Sequence, residues 1–119
     1  MTTGETTSLG RIEISPQAIA TLASQAVLQS YGVVGMAPKN MVNGLTNILT
    51  RDPRLGVEVL AEGGEITINL YIIVEYGTRI NSVAESVGNT VRFHVEKALG
   101  LRVNKIDVHV AGLRISNID

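Results

Sequence analysis

The chain has 119 residues, ten basic and eleven acidic side chains, a formal net charge of -1, and no cysteine. That balance provides no basic run to neutralise phosphates or anionic headgroups, so neither nucleic acid nor a bare membrane surface is an expected partner. The missing cysteine excludes disulfides, thiolate metal sites and cysteine nucleophiles, and no apolar run approaches the roughly 20 residues that cross a bilayer. The length suits one domain with one core. Its only aromatic side chains are Tyr31, Tyr71, Tyr76 and Phe93, so that core must be built from Val, Ile, Leu and Ala. The first residues carry no positive start and no apolar stretch, which is not the pattern of a secretory signal. The plain reading is a cytoplasmic protein.

Residues 1–9 are small and polar and read as a disordered leader, with a single domain over 10–116. Arg11-Ile12-Glu13-Ile14 alternates and predicts an edge strand. Ser15-Pro16 is a helix start, with Ser15 as cap and Pro16 at the first helical position. Ile19, Leu22, Ala23, Ala26 and Val27 then follow at helical spacing. Tyr31 to Pro38 is flanked by glycines and closed by proline, which predicts a short strand or extended turn. Met41, Leu45, Ile48 and Leu49 have helical spacing, but Gly44 among them costs about 1 kcal/mol. The segment 41–50 is thus open between a stable helix and a flap, and Asp52-Pro53 ends any helix there.

A hairpin follows. Val57 to Ala61 and Ile66 to Tyr76 flank the turn Glu62-Gly63-Gly64-Glu65. In its second strand Ile66, Ile68, Leu70, Ile72 and Val74 share one face, and Thr67, Asn69, Tyr71, Ile73 and Glu75 the other. From Ile80 to Leu99 an apolar stripe runs through Ile80, Ala84, Val87, Val91, Val95, Ala98 and Leu99. Ser82-Val83-Ala84-Glu85 has the form of a capping box at its start, and Gly100 is placed as its stop. A last strand, Val103 to Val110, turns Ile106, Val108 and Val110 inward and Lys105, Asp107 and His109 outward. The long connection through the helix allows a crossover, which makes the two flanking strands parallel. The expected fold is α+β: a mixed three- to four-stranded sheet with amphipathic helices packed on one face.

Chemistry is sparse. His94 and His109 lack ligand spacing and read as two unrelated surface histidines. Gly32, Gly35 and Lys39 do not match a phosphate loop or a dinucleotide fingerprint. The carboxylates are scattered by turns and alternation, and no serine lies in a nucleophile elbow. No catalytic, cofactor-binding or metal site is assigned, and the chain reads as not an enzyme. One feature stands out. Tyr71 and Ile73 are an aromatic and a branched aliphatic side chain on an otherwise polar strand face, which marks them as a candidate partner surface. The competing reading is that the segment from Tyr31 to Thr50 folds over that face and buries them.

Four blocks occur in order: Gly10-Arg11-Ile12-Glu13-Ile14-Ser15-Pro16, Tyr31-Gly32-Val33-Val34-Gly35-Met36, Leu70 to Gly77 (Leu-Tyr-Ile-Ile-Val-Glu-Tyr-Gly), and Leu99-Gly100-Leu101-Arg102-Val103. From about Gly10 to Leu113 the chain resembles the alkaline shock protein family of envelope stress response proteins. It departs at Asn81-Ser82, where that family more usually has Pro-Glu, and it shows no acidic C-terminal extension, the look of a minimal domain. The resemblance implies a bacterial, non-enzymatic cytoplasmic protein linked to envelope stress, with some members held at the membrane by a separate anchor protein.

Together these readings give an adaptor or structural protein of the cytoplasmic side of the envelope. It works through protein–protein contacts with a membrane-anchored partner and does not insert into the membrane itself. A homo-oligomer is expected, paired through the strand edge Gly56 to Ala61. The alternative is a domain that binds a small acyl or lipid metabolite between sheet and helices. The bulky inward set of Ile, Val and Leu argues against it, because such side chains fill the space a ligand needs.

Overall fold

The computed structural model describes residues 3–7, 10–39 and 49–115, with side chains from residue 15 onward. Helix α1 spans Pro16–Leu28. Its Ser15 cap is extended and the hydroxyl accepts the Ala18 N–H at 3.3 Å, with Pro16 in the first turn, as the sequence predicts. Ile19, Ala20, Ala23, Ala26 and Val27 are its buried stripe. Strand β3 follows at Val33–Met36. Most of the segment 41–50 lies outside the described residues. Its last member, Thr50, donates its N–H to the Met36 carbonyl at 2.8 Å. Asp52-Pro53 opens a 3-10 turn, Pro53–Gly56, in which the Asp52 carboxylate takes the Arg54 backbone N–H at 3.1 Å and its guanidinium at 2.9 and 3.0 Å. The Arg54 side-chain bonds hold the Asp52 carboxyl below its ordinary range.

Strands β4 (Val57–Glu62) and β5 (Glu65–Glu75) form the expected hairpin. Gly63 and Gly64 both have positive φ, 59° and 82°, the backbone that a two-residue hairpin loop matching the strand twist demands. Helix α2 (Ile80–Leu99) crosses back and ends at Gly100, which is left-handed at φ 65°. Strand β6 (Lys105–Arg114) then runs parallel to β5 from Thr67↔Lys105 to Glu75↔Arg114. On its other side β5 pairs antiparallel with β4 over Glu65 to Leu70 and with β3 over Ile72 to Val74. The mixed four-stranded sheet of an α+β fold is therefore three strands wide, with β3 and β4 sharing one side of β5.

The inner face of that sheet is the core. Ile66, Ile68, Leu70, Ile72 and Val74 of β5 meet the stripes of α1 and α2, and Val57, Ile106, Val108 and Val110 join them from the flanking strands. Both helices lie on this one face. On α2 the stripe is Val83, Val87, Val91 and Val95, one residue every four. Two sequence expectations are corrected here. Arg79 precedes the first turn and makes no side-chain cap bond, so Ser82-Val83-Ala84-Glu85 lies inside the helix. Val83 thereby joins the core, while Ile80, Ala98 and Leu99 sit at the exposed ends of the stripe.

Strand β6 also runs four residues past Val110. Ile72 pairs with Val110 and Ile73 with Gly112, so Ala111 is an extra residue, a β-bulge. The turn before β6 is pinned by polar bonds. Glu96 accepts the Val103 N–H at 2.8 Å, Arg92 donates to the Val103 carbonyl, and Asn104 exchanges two 2.9 Å bonds with the Ile66 backbone.

At the N-terminus, β1 (Thr3–Thr7) and β2 (Gly10–Ile14) pair antiparallel as a sheet of their own. Within the stretch 1–9, expected as a disordered leader, Thr3–Thr7 is thus a strand; residues 1, 2, 8 and 9 lie outside the described ones. The strand expected at 11–14 forms, but its partner is β1, not the main sheet.

Leu70 is fully buried at the centre of β5. Leu70→Ala is expected to lower unfolding free energy by about 2–5 kcal/mol, read as a shift of the urea midpoint at unchanged slope.

Candidate protein-contact face

The second face of the sheet carries no helix among the described residues. It is built from the outward positions of the same strands: Glu58 and Leu60 of β4, Thr67, Asn69, Tyr71 and Ile73 of β5, and Lys105, Asp107 and His109 of β6. Register sets them in rows. Glu58, Asn69 and Asp107 form one row across the three strands; Tyr71 and His109 form the next.

Those rows are tied together. The Asn69 amide donates to Glu58 Oε1 at 3.2 Å, and Asn69 Oδ1 lies 3.1 Å from His109 Nε2. With the amide assigned that way, His109 carries its proton on Nε2 and donates it to Asn69. The His109 ring stacks on Tyr71 with centroids 4.7 Å apart and planes 14° from parallel. Lys105 Nζ is 3.6 Å from Asp107 at the margin. Desolvation pushes the Tyr71 hydroxyl above its ordinary pKa, and the charges of Glu58 and Asp107 push it further in the same direction. The result is a fixed polar plate around one stacked aromatic pair.

Of the two side chains that the sequence singles out, the structure separates one from the other. Tyr71 is half-buried in this plate. Ile73 is fully buried, so for Ile73 the surface reading is corrected. Its cross-strand neighbours are Gly35 on β3 and Gly112 on β6, neither of which has a side chain to fill the row. Ile73 fills that space beneath a small second cluster with Ala37 and Ala111, joined by Val34, Leu49 and Tyr71. A Cβ built on Gly35 would lie 2.7 Å from Leu49 Cδ2, so with glycine at 35 Leu49 closes over the row without having to move aside. Of the segment from Tyr31 to Thr50, the described residues Val34, Ala37 and Leu49 pack around Ile73 at one end of this face, while residues 40–48 lie outside the described ones. His109, read from spacing as a surface histidine unrelated to His94, is exposed and apart from it, and in addition is bound into the plate. Only strand register could have revealed it, since Asn69 and His109 are 40 residues apart.

Chemically the plate offers hydrogen-bonding groups and one aromatic face to whatever meets it. No group of three or more His, Cys, Asp or Glu side chains suited to a metal ion occurs among the described residues. His94 stands away from the plate on α2, edge-on to Phe93.

Comparison with known proteins places this geometry. A profile of the alkaline shock protein 23 family, described as having a cell envelope-related function, matches residues 4–115. The uncharacterized protein YloU of Bacillus subtilis is 43% identical over 113 residues, which is 93% of this chain and 94% of that protein. YqhY of the same organism is 34% identical over 115 residues, 92% of this chain and 82% of the relative. Among solved structures, the MamM-CTD H285A variant superposes with a TM-score of 0.50 at 14% identity, covering 87% of this chain and all of that one, a likeness of fold alone.

Two outcomes follow from the plate. Ile73→Ser is expected to destabilise by about 2–5 kcal/mol, because it leaves both a cavity and a buried hydroxyl, whereas Tyr71→Phe leaves the urea midpoint at neutral pH nearly unchanged. Because the folded state holds the Tyr71 proton more tightly than the unfolded chain, stability is intact below the ordinary tyrosine value near 10. It declines as pH rises from there towards the raised folded value. Urea titrations between pH 9 and 11 should show that decline, and Tyr71→Phe should reduce it.

Proposed function

The chain belongs to the alkaline shock protein 23 family, whose function is cell envelope-related, and on that premise we propose that it is a non-enzymatic adaptor on the cytoplasmic side of the envelope. Its single domain, residues 10–116, works by holding protein partners, and one of these is anchored in the membrane. The observation that carries this reading is the outer sheet face: an ordered plate of Glu58, Asn69, Tyr71 and His109 on a surface that no helix covers among the described residues. Side chains already fixed by mutual bonds lose little freedom when a partner docks, which favours recognition over chemistry. No helix among the described residues is long and apolar enough to cross a membrane, and in this proposal the anchored partner provides the attachment. Self-association is part of the same reading.

The alternative, an acyl or lipid metabolite held between sheet and helices, has less to support it. The inner positions of β5 and α2 are occupied by fully buried Ile68, Leu70, Ile72, Val87, Val91 and Val95 packed against one another.

Crosslinked recovery of tagged protein from its native cells, membrane and soluble fractions kept apart, tests the proposal. One integral membrane protein should come down in stoichiometric yield with wild type and in several-fold lower yield with the double variant Tyr71→Ala, His109→Ala. A wholly soluble pool whose only companion is a bound metabolite would overturn the adaptor.

A further inference from the structure

The sheet has two margins among the described residues, one formed by β4 with β3 and the other by β6; the long unpaired strand sides are those of β4 and β6. They differ in what they offer a second copy of the chain. Two β4 edges run antiparallel about Leu60 would set Glu58 of each against Glu62 of the other, and about Val59 would set Glu58 against Leu60, so one register opposes like charges and the other a charge to an aliphatic side chain. The β6 edge has the opposite character. About a two-fold axis at Val108, Ile106 of one copy faces Val110 of the other on the inner side and Val108 faces itself. On the outer side, Asp107 faces His109, so no two like charges are opposed. Every position from 106 to 110 then meets a compatible one, and the bulge at Ala111 ends the regular edge there.

The helix above repeats this complementarity. An open groove of about 330 Å³ runs between α2 and β6, lined by Ala84, Glu85, Gly88, Arg92, Ile106 and Val108 among others. Ile106 and Val108 point to the core yet stay only partly buried. The small residues Ala84 and Gly88 leave the helix rim low. Glu85 and Arg92 lie two turns apart, so two antiparallel α2 helices centred beside Gly88 bring Glu85 of each towards Arg92 of the other. The two centres adjoin, since a Cβ on Gly88 would sit 3.7 Å from Val108 Cγ2. A single two-fold axis beside them can therefore serve strand and helix together, as an isologous dimer requires.

We infer that the β6 edge and the α2 groove beside it form a two-fold interface with a second copy of this chain, joining two sheets into one continuous sheet. The inference rests on the self-association part of the proposed function, and replaces the edge Gly56 to Ala61 as its site.

The absence of cysteine from the chain makes the test clean. Directly opposed residues of an antiparallel pair have Cα atoms about 4.5–5.5 Å apart, within disulfide reach. Full-length Val108→Cys is expected to form a covalent dimer under mild oxidation, at roughly tenfold the yield of Leu60→Cys. Glu85→Arg, an exposed change outside the plate that sets a guanidinium against Arg92 of the other copy, should weaken the dimer measured by light scattering about tenfold or more. Crosslinking at position 60 but not 108, or unchanged association of Glu85→Arg, would overturn this face and leave self-association standing. A monomer at high micromolar concentration would overturn both, without touching the membrane-partner recovery described above.

Discussion

Hydrogen bonding of β5 along both of its edges is the constraint that organises the molecule. A strand of eleven residues spans about 36 Å, and almost all of it must be paired because its inner side chains are fully buried. The hairpin partner β4 reaches only to Leu70, so β3 has to continue the same side from Ile72. The opposite side falls to β6, which is parallel and so cannot follow from a short turn. Helix α2 supplies the return. Its 20 residues cover about 30 Å, nearly the length of β5, and residues 101–104 make up the difference. The bonds that Arg92 and Glu96 make to Val103 fix where that return ends.

Much of this is written locally in the chain. The β4–β5 hairpin is legible because period-2 alternation flanks a Gly-Gly turn, and α2 because its valines recur every four residues. The family, too, could be recognised from separated blocks of sequence. What could not be read depends on partners distant in the chain. Ser82 to Glu85 has the composition of a capping box, yet Val83 is drawn into the helix interior because burial against the core outweighs a surface cap. The end of β6 was lost at Ala111, where the bulge breaks the alternation by which a strand is recognised. Alternation puts Ile73 on the outer face and leaves open whether it is exposed or covered there; its burial goes with glycines at 35 and 112, which only register brings beside it.

The outer face shows how one strand can serve two ends. At its Ile73 end, missing side chains on both neighbouring strands let a large aliphatic group sink beneath Leu49. At its Asn69 end each neighbour carries a polar group within bonding distance, and the row stays at the surface as a connected plate. Tyr71 stands between them, with its ring on His109 and its backbone carbonyl taken by Ala37 at 3.0 Å. Tyr71 thus belongs to both ends, packed against the small cluster on one side and stacked on His109 in the plate on the other.

The bulge at Ala111 acts as a parity switch. Before it, odd-numbered residues of β6 face outward; after it, Leu113 turns into the core and Arg114 outward. Were the strand to run straight through this stretch with no bulge, strict alternation would turn Leu113 to water and Arg114 to the interior, whereas loss of one residue between Val110 and Leu113 would keep Leu113 inward without any bulge. The extra residue and the bulge that absorbs it are thus a matched pair, and it is their combined count that sets which face the end of the strand presents.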